Sequence, residues 1–163
     1  MNSGPTFAFA SPEVRDIVRA TLPDERRRAL HRAFGESLDP RVEGDRSERV
    51  GRHLEGAGET ERARDILVRA AIDASRRFER ERTLELARLA GVSPDGLRPP
   101  VTPEVVECAF QLVANLAALR RSEERVRLLR ALDAWAREAG AEDVRRRVTI
   151  SVLRESILDR NPT

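Results

Sequence analysis

Apolar residues recur every three or four positions through most of this chain. That spacing restricts it to amphipathic helices that bury one face against each other. The clearest stripe is Ala63, Ile66, Leu67, Ala70, Ala71, Ala74 and Phe78, on a helix expected over 59–78. A second stripe, Val105, Val106, Ala109, Phe110, Val113, Leu116 and Ala117, follows the start signal Thr102-Pro103-Glu104. There a hydroxyl caps the helix, proline occupies its first turn and an acid meets the positive end of the dipole. Ser11-Pro12-Glu13 repeats that signal ahead of Val14, Ile17 and Val18, which are expected to point inward. Leu30, Phe34 and Leu38 mark the next helix, Val50 and Leu54 one near 47–56, and Leu84 and Ala87 one near 80–90. Val126, Leu128, Leu129, Leu132, Trp135 and Ala136 mark a helix from Ser122, and Val144, Val148, Val152, Leu153 and Ile157 one from about Glu142. Roughly eight helices result.

Residues 1–11 read as an extended segment, because Thr6-Phe7-Ala8-Phe9-Ala10 alternates as a short strand does; no later stretch alternates convincingly. Residues 12–90 read as helical hairpins, and 103–160 as further hairpins of the same domain. Between them, 91–102 is a corner whose prolines and glycines cannot propagate a helix. The expected fold class is all-α: antiparallel hairpins stacked as a right-handed superhelix or as an irregular bundle, with a short strand remnant at the N-terminus.

Composition removes several chemistries. All thirty basic residues are arginine, so neither the lysine of a phosphate-binding Walker loop nor a Schiff-base amine is available. Thirty cations against twenty-eight anions describe interleaved surface pairs, not a basic face. Cys108 stands alone in an apolar stretch, which excludes an internal disulfide and a cysteine metal cluster. His31 and His53 are each solitary within their helices, and His31 sits among arginines that disfavour a cation, so both read as packing or capping residues. The acid pairs Glu123-Glu124 and Glu142-Asp143 fall at helix starts, where the dipole accounts for them. No cofactor and no metal are expected. No secretory leader or membrane span is legible, and the cytoplasm is the expected compartment.

Two resemblances sharpen this. Gly58 followed by Ala63, Leu67 and Ala70 resembles the second half of a tetratricopeptide unit, where small residues let two helices approach closely; Thr83, Ala87 and Ala90 repeat the spacing. Further, Phe7-Ala8-Phe9-Ala10-Ser11-Pro12-Glu13-Val14-Arg15, then Leu22-Pro23, then Arg27-Arg28-Ala29-Leu30-His31, resembles a stretch of STAND-class signalling ATPases, including ATP-dependent LuxR-type transcriptional regulators. In that family an F-x-F strand closes a winged helix and tetratricopeptide-like helices follow. The resemblance covers residues 6 to 90, with Ser11 where the family usually carries histidine, and the chain holds none of the nucleotide-binding domain. It implies a sensor or arm region that binds a partner without turnover.

The expected function is therefore a non-catalytic protein–protein interaction module, acting through the helical groove and the terminal helix on a protein partner or a second copy. Trp135, Ile150, Leu153 and Ile157 are the candidate contacts, since tryptophan anchors interfaces and the last helix is apolar on more than one stripe. The alternative is nucleic-acid binding through Arg26, Arg27 and Arg28 with Arg145, Arg146 and Arg147, which requires both triplets to converge on one face. Adjacent helical residues diverge by about 100°, which works against convergence.

Overall fold

The computed structural model describes residues 20–38 and 45–158 together with Ser11, Glu13 and Ile17, without the side chains of 45, 46 and 154–158. The expected strand at 6–10, with Val14 and Val18, lies outside the described residues. Seven helices run through the described part: α1 (Asp24–Ser37), α2 (Asp45–Gly56), α3 (Thr60–Arg76), α4 (Arg80–Leu89), α5 (Pro103–Ala118), α6 (Ser122–Glu138) and α7 (Glu142–Leu158). The class is all-α. Each helix packs on its neighbours in sequence, and α5 lies across both α3 and α4. The main core runs from Leu67 on α3 to Val148 on α7, with Leu112, Leu116, Leu128 and Leu132 closed off from solvent. A smaller cluster of Val50, Leu54 and Ala63 joins α2 to α3.

Four of the links are alike. The α2–α3, α3–α4, α5–α6 and α6–α7 connections are three residues each, centred on Gly58, Phe78, Arg120 and Gly140. At each centre φ is positive, between 57° and 83°. The N–H two residues beyond the last helical residue's cap returns to the fifth residue before it, as from Glu59 to Leu54 and from Ala141 to Ala136. This is the Schellman turn, which satisfies the helix's last carbonyls and reverses the chain. Glycine suits the left-handed centre, whereas a side chain there costs about 1–2 kcal/mol. Phe78 was expected to complete the stripe of α3; instead it sits at this centre, 78% exposed, because the helix ends at Arg76. Replacing Phe78 or Arg120 by glycine removes strain without removing burial, since both side chains are exposed. Each substitution is expected to raise stability by about 1 kcal/mol, read as a higher urea midpoint at unchanged m-value.

The 91–102 corner is more ordered than its composition implies. Val92–Ser93 and Gly96–Leu97 form a two-stranded antiparallel hairpin, β1 and β2, in the register Val92↔Leu97 and Ser93↔Gly96. It is too short for alternation to show in the sequence, and its Val92 is fully buried in the main core. Arg64 of α3 holds this segment. The side chain is only 2% exposed and donates Nε to the Ala90 carbonyl at 3.0 Å, Nη1 to that of Pro100 at 2.5 Å and Nη2 to that of Arg98. Desolvation, with Arg98 close by, pulls its pKa down from the usual arginine value, yet the group stays charged. A buried cation satisfied by carbonyls alone had no signal in the apolar pattern.

The α1 end differs from expectation in burial. Ile17, Leu30 and Phe34 are 63%, 43% and 57% exposed, although their spacing had placed them inward. Among the helices described, α2 is the chief neighbour of α1, and it approaches on the side of Gly35, which is buried. One contact face cannot cover a wider stripe.

Candidate partner-binding surface

The surface forms where α6 and α7 lie antiparallel. Acids in the first turns, Glu123 and Glu124 on α6 and Glu142 and Asp143 on α7, favour both helix starts. The Gly140 turn then folds α7 back along α6. Val144 and Val148 face the core with Leu128, Leu129, Leu132 and Ala136. Beside that seam runs an open groove of about 480 Å³. Its floor is Val126 and Leu129 of α6 with Val148, Val152 and Leu153 of α7. Along it lie Arg130, Asp133, Arg137 and Arg145.

The groove is polarised along its length. In an antiparallel pair, Val126 and Leu129 lie toward Val152 and Thr149, while Asp133 and Arg137 lie toward Arg145 and the Gly140 turn. The chain confirms this register: Arg145 Nε is 4.0 Å from Asp133, and Arg125 donates to the Ser151 carbonyl at 3.2 Å. One end is thus apolar and the other cationic. Arg137 pairs with Asp133 at 2.6 Å and Arg145 with Glu142 at 2.6 Å. Arg130 is exposed and makes no ion pair among the described residues. The Nε of Arg145 is shielded from solvent without a hydrogen-bond partner. Of the groove's arginines, Arg137 and Arg145 thus have carboxylate partners, and Arg130 has none among the described residues.

The structure separates the residues expected to form one contact. Leu153, 55% exposed, lines the groove beside Val152, 48% exposed. Ile150 is 51% exposed but falls outside the groove lining, on another stripe of α7. Trp135 does not join them: it is half-buried against the main core, about half a turn around α6 from Val126 and Asp133. The buried stripe of Leu128, Leu132 and Ala136 lies between Trp135 and the groove. The side chain of Ile157 lies outside the described residues. Val152, Arg130 and Arg145 complete the surface. The ambiguity of the last helix's stripes signalled Val152; nothing in the sequence distinguishes Arg130 from the other arginines.

The two arginine triplets are not brought together as a phosphate-binding face. Arg27 pairs with Asp24 at 2.6 Å, and Arg28 lies in a shallow depression with Asp24 and Glu25. Arg145 turns into the groove and Arg146 reaches back to the Glu142 carbonyl at 3.4 Å. Arg147 crosses to α5, 3.1 Å from Glu107 and 3.9 Å above the Phe110 ring. A hydrogen bond from Gln111, with Arg147 adding to it, holds Glu107 below the ordinary carboxylate pKa. Each triplet is spread around its helix, and carboxylates meet several of its members.

Other chemistry-bearing groups lie elsewhere. His31 and His53, solitary along the sequence, meet across α1 and α2 with Nδ1 atoms 3.1 Å apart, one ring donating to the other. Phe34 stacks on His53 at 5.5 Å, and Gly56 leaves room for the His31 ring, which a Cβ there would approach to 2.7 Å. The pair zips two helices together. Cys108 is fully buried, and burial pushes its thiol up to about 12, so it stays a neutral packing group. Among the described residues, no three histidine, cysteine, aspartate or glutamate side chains are grouped so as to hold a metal ion. Nor is any helix among them long and apolar enough to cross a membrane.

Comparison with protein-family models, with curated proteins and with solved structures gave no match to this chain.

Proposed function

We propose that this chain is a non-catalytic helical-repeat interaction module, of the kind that forms the sensor or arm region of STAND-type signalling and transcriptional regulators in the bacterial cytoplasm. It works by docking a protein partner on the α6–α7 groove, and occupancy biases the conformation of whatever larger assembly carries the arm. The observation that carries the docking reading is the joint exposure of Val152 and Leu153 beside an apolar floor, on a helix whose inner face is already satisfied by the core. Apolar side chains gathered beside a charged rim suit an interaction site. The STAND association rests on the sequence resemblance over residues 6 to 90.

A photo-reactive amino acid placed at Leu153 in the producing cell tests the reading. A discrete cross-linked adduct is expected from position 153 and none from the exposed Glu61 of α3. Added unlabelled chain should compete the adduct away, whereas the same chain carrying Val152→Asp should not. Equal labelling from both positions, or none from 153, would remove the docking reading.

A further inference from the structure

The α6–α7 groove has a counterpart within the same chain. The α3–α4 hairpin is built with the same three-residue Schellman link, and α5 packs on both of its helices. That hairpin seats a helix, and a helix offers i, i+3, i+4 and i+7 anchors to a groove of this kind. Charge then decides which helix. The residues lining the groove include three arginines, Arg130, Arg137 and Arg145, against one acid, Asp133. Arg137 and Arg145 lie toward the Gly140 end and Val152 and Leu153 toward the other, with Leu129 and Arg130 side by side between them. Among the described residues Arg130 makes no ion pair, while Arg145 is paired with Glu142 and its shielded Nε stands 4.0 Å from Asp133 without a hydrogen bond.

We propose that the α6–α7 groove binds an acidic amphipathic helix of a partner protein, with apolar anchors over Val126, Leu129, Val152 and Leu153 and carboxylates about one to two turns further toward the Gly140 turn, against Arg130 and Arg145. This rests on the docking reading above and names its partner class. A carboxylate there supplies the partner that Arg130 lacks among the described residues and adds to those of Arg145, and a charge-assisted pair partly shielded from water is stronger than an exposed one. A second copy of this chain fits less well. Two grooves meeting with their cationic ends together repel, and the reverse orientation sets arginines against leucines, where their charge is desolvated without compensation.

The test uses the full chain and a fluorescein-labelled synthetic helix of about five turns. Leucines at i, i+3 and i+7 are followed by glutamates on the same face; the control peptide carries lysines in their place. Fluorescence polarisation should show the glutamate peptide binding at least about tenfold more tightly, with the preference shrinking as salt rises. Arg130→Glu should abolish the preference, and Leu153→Arg should abolish binding of both peptides, with circular dichroism unchanged in each variant. Equal binding of the two peptides, binding indifferent to Arg130→Glu, or no binding at all overturns the acidic-helix assignment. Concentration-dependent self-association by light scattering that Leu153→Arg abolishes overturns it in favour of a second copy. A groove-specific cross-link at 153 alongside any of these results leaves docking standing and removes only this partner class; a missing cross-link removes docking itself.

Discussion

Replacing Arg64 by methionine should lower the stability of the chain by about 1–3 kcal/mol, read from urea denaturation followed by circular dichroism. Among the described residues, the guanidinium is the sole side-chain donor to three carbonyls, those of Ala90, Arg98 and Pro100, which belong to the end of α4 and the segment after β2. Methionine fills much of the space but leaves the carbonyl of buried Ala90 without that donor, and a buried unsatisfied acceptor costs about 1–3 kcal/mol. Lysine should recover only part of the loss, since a single ammonium cannot span the planar fork that reaches three acceptors. The hairpin of β1 and β2 should loosen first, visible as faster amide exchange at Val92 and Leu97. A loss below about 1 kcal/mol in the methionine variant would mean that the corner holds itself without Arg64.

The second large effect is a contrast between two leucines on adjacent helices. Leu132 is fully buried in the main core, whereas Leu153 is 55% exposed on the groove. Leu132→Ala should cost about 2–5 kcal/mol through lost apolar burial and the cavity left behind. Leu153→Ala should stay within about 0.5 kcal/mol of the parent, as substitutions at exposed positions do. Its consequence belongs to binding. A drop of several kcal/mol with loss of helicity in Leu153→Ala would place that residue in the core and leave the groove without its apolar end. The pair of measurements thus separates what folds the chain from what it offers to a partner.

How much of this was legible depended on whether a property was local. Helix positions were, because the 3.6-residue period repeats along the chain: starts at Thr102-Pro103 and Ser122 and the stripe of α3 stand close to where the residues put them. The breaks at Gly58 and Gly140 were marked by glycine, but those at Phe78 and Arg120 carried no such mark. The same left-handed turn forms there because a helical hairpin of this geometry demands it, even at a steric cost. The partner-binding residues were legible only in part. The mixed stripes of the last helix flagged Leu153 and Ile150, while Trp135 went to the opposite side of α6 because its angular position, not its residue type, decided which surface it joined.

The sequence alone determined the helical class, the antiparallel order and the residues able to form a core, since period and turn chemistry are set by near neighbours. Only the tertiary structure decided that Arg64 is buried, that His31 meets His53, that Leu30 and Phe34 are exposed and that Arg130 stands at the groove without an ion pair among the described residues. Each of those depends on which helix arrives at a given face and how much of it that helix covers. A stripe of apolar residues states that a face can be buried; the number and width of its neighbours state whether it is.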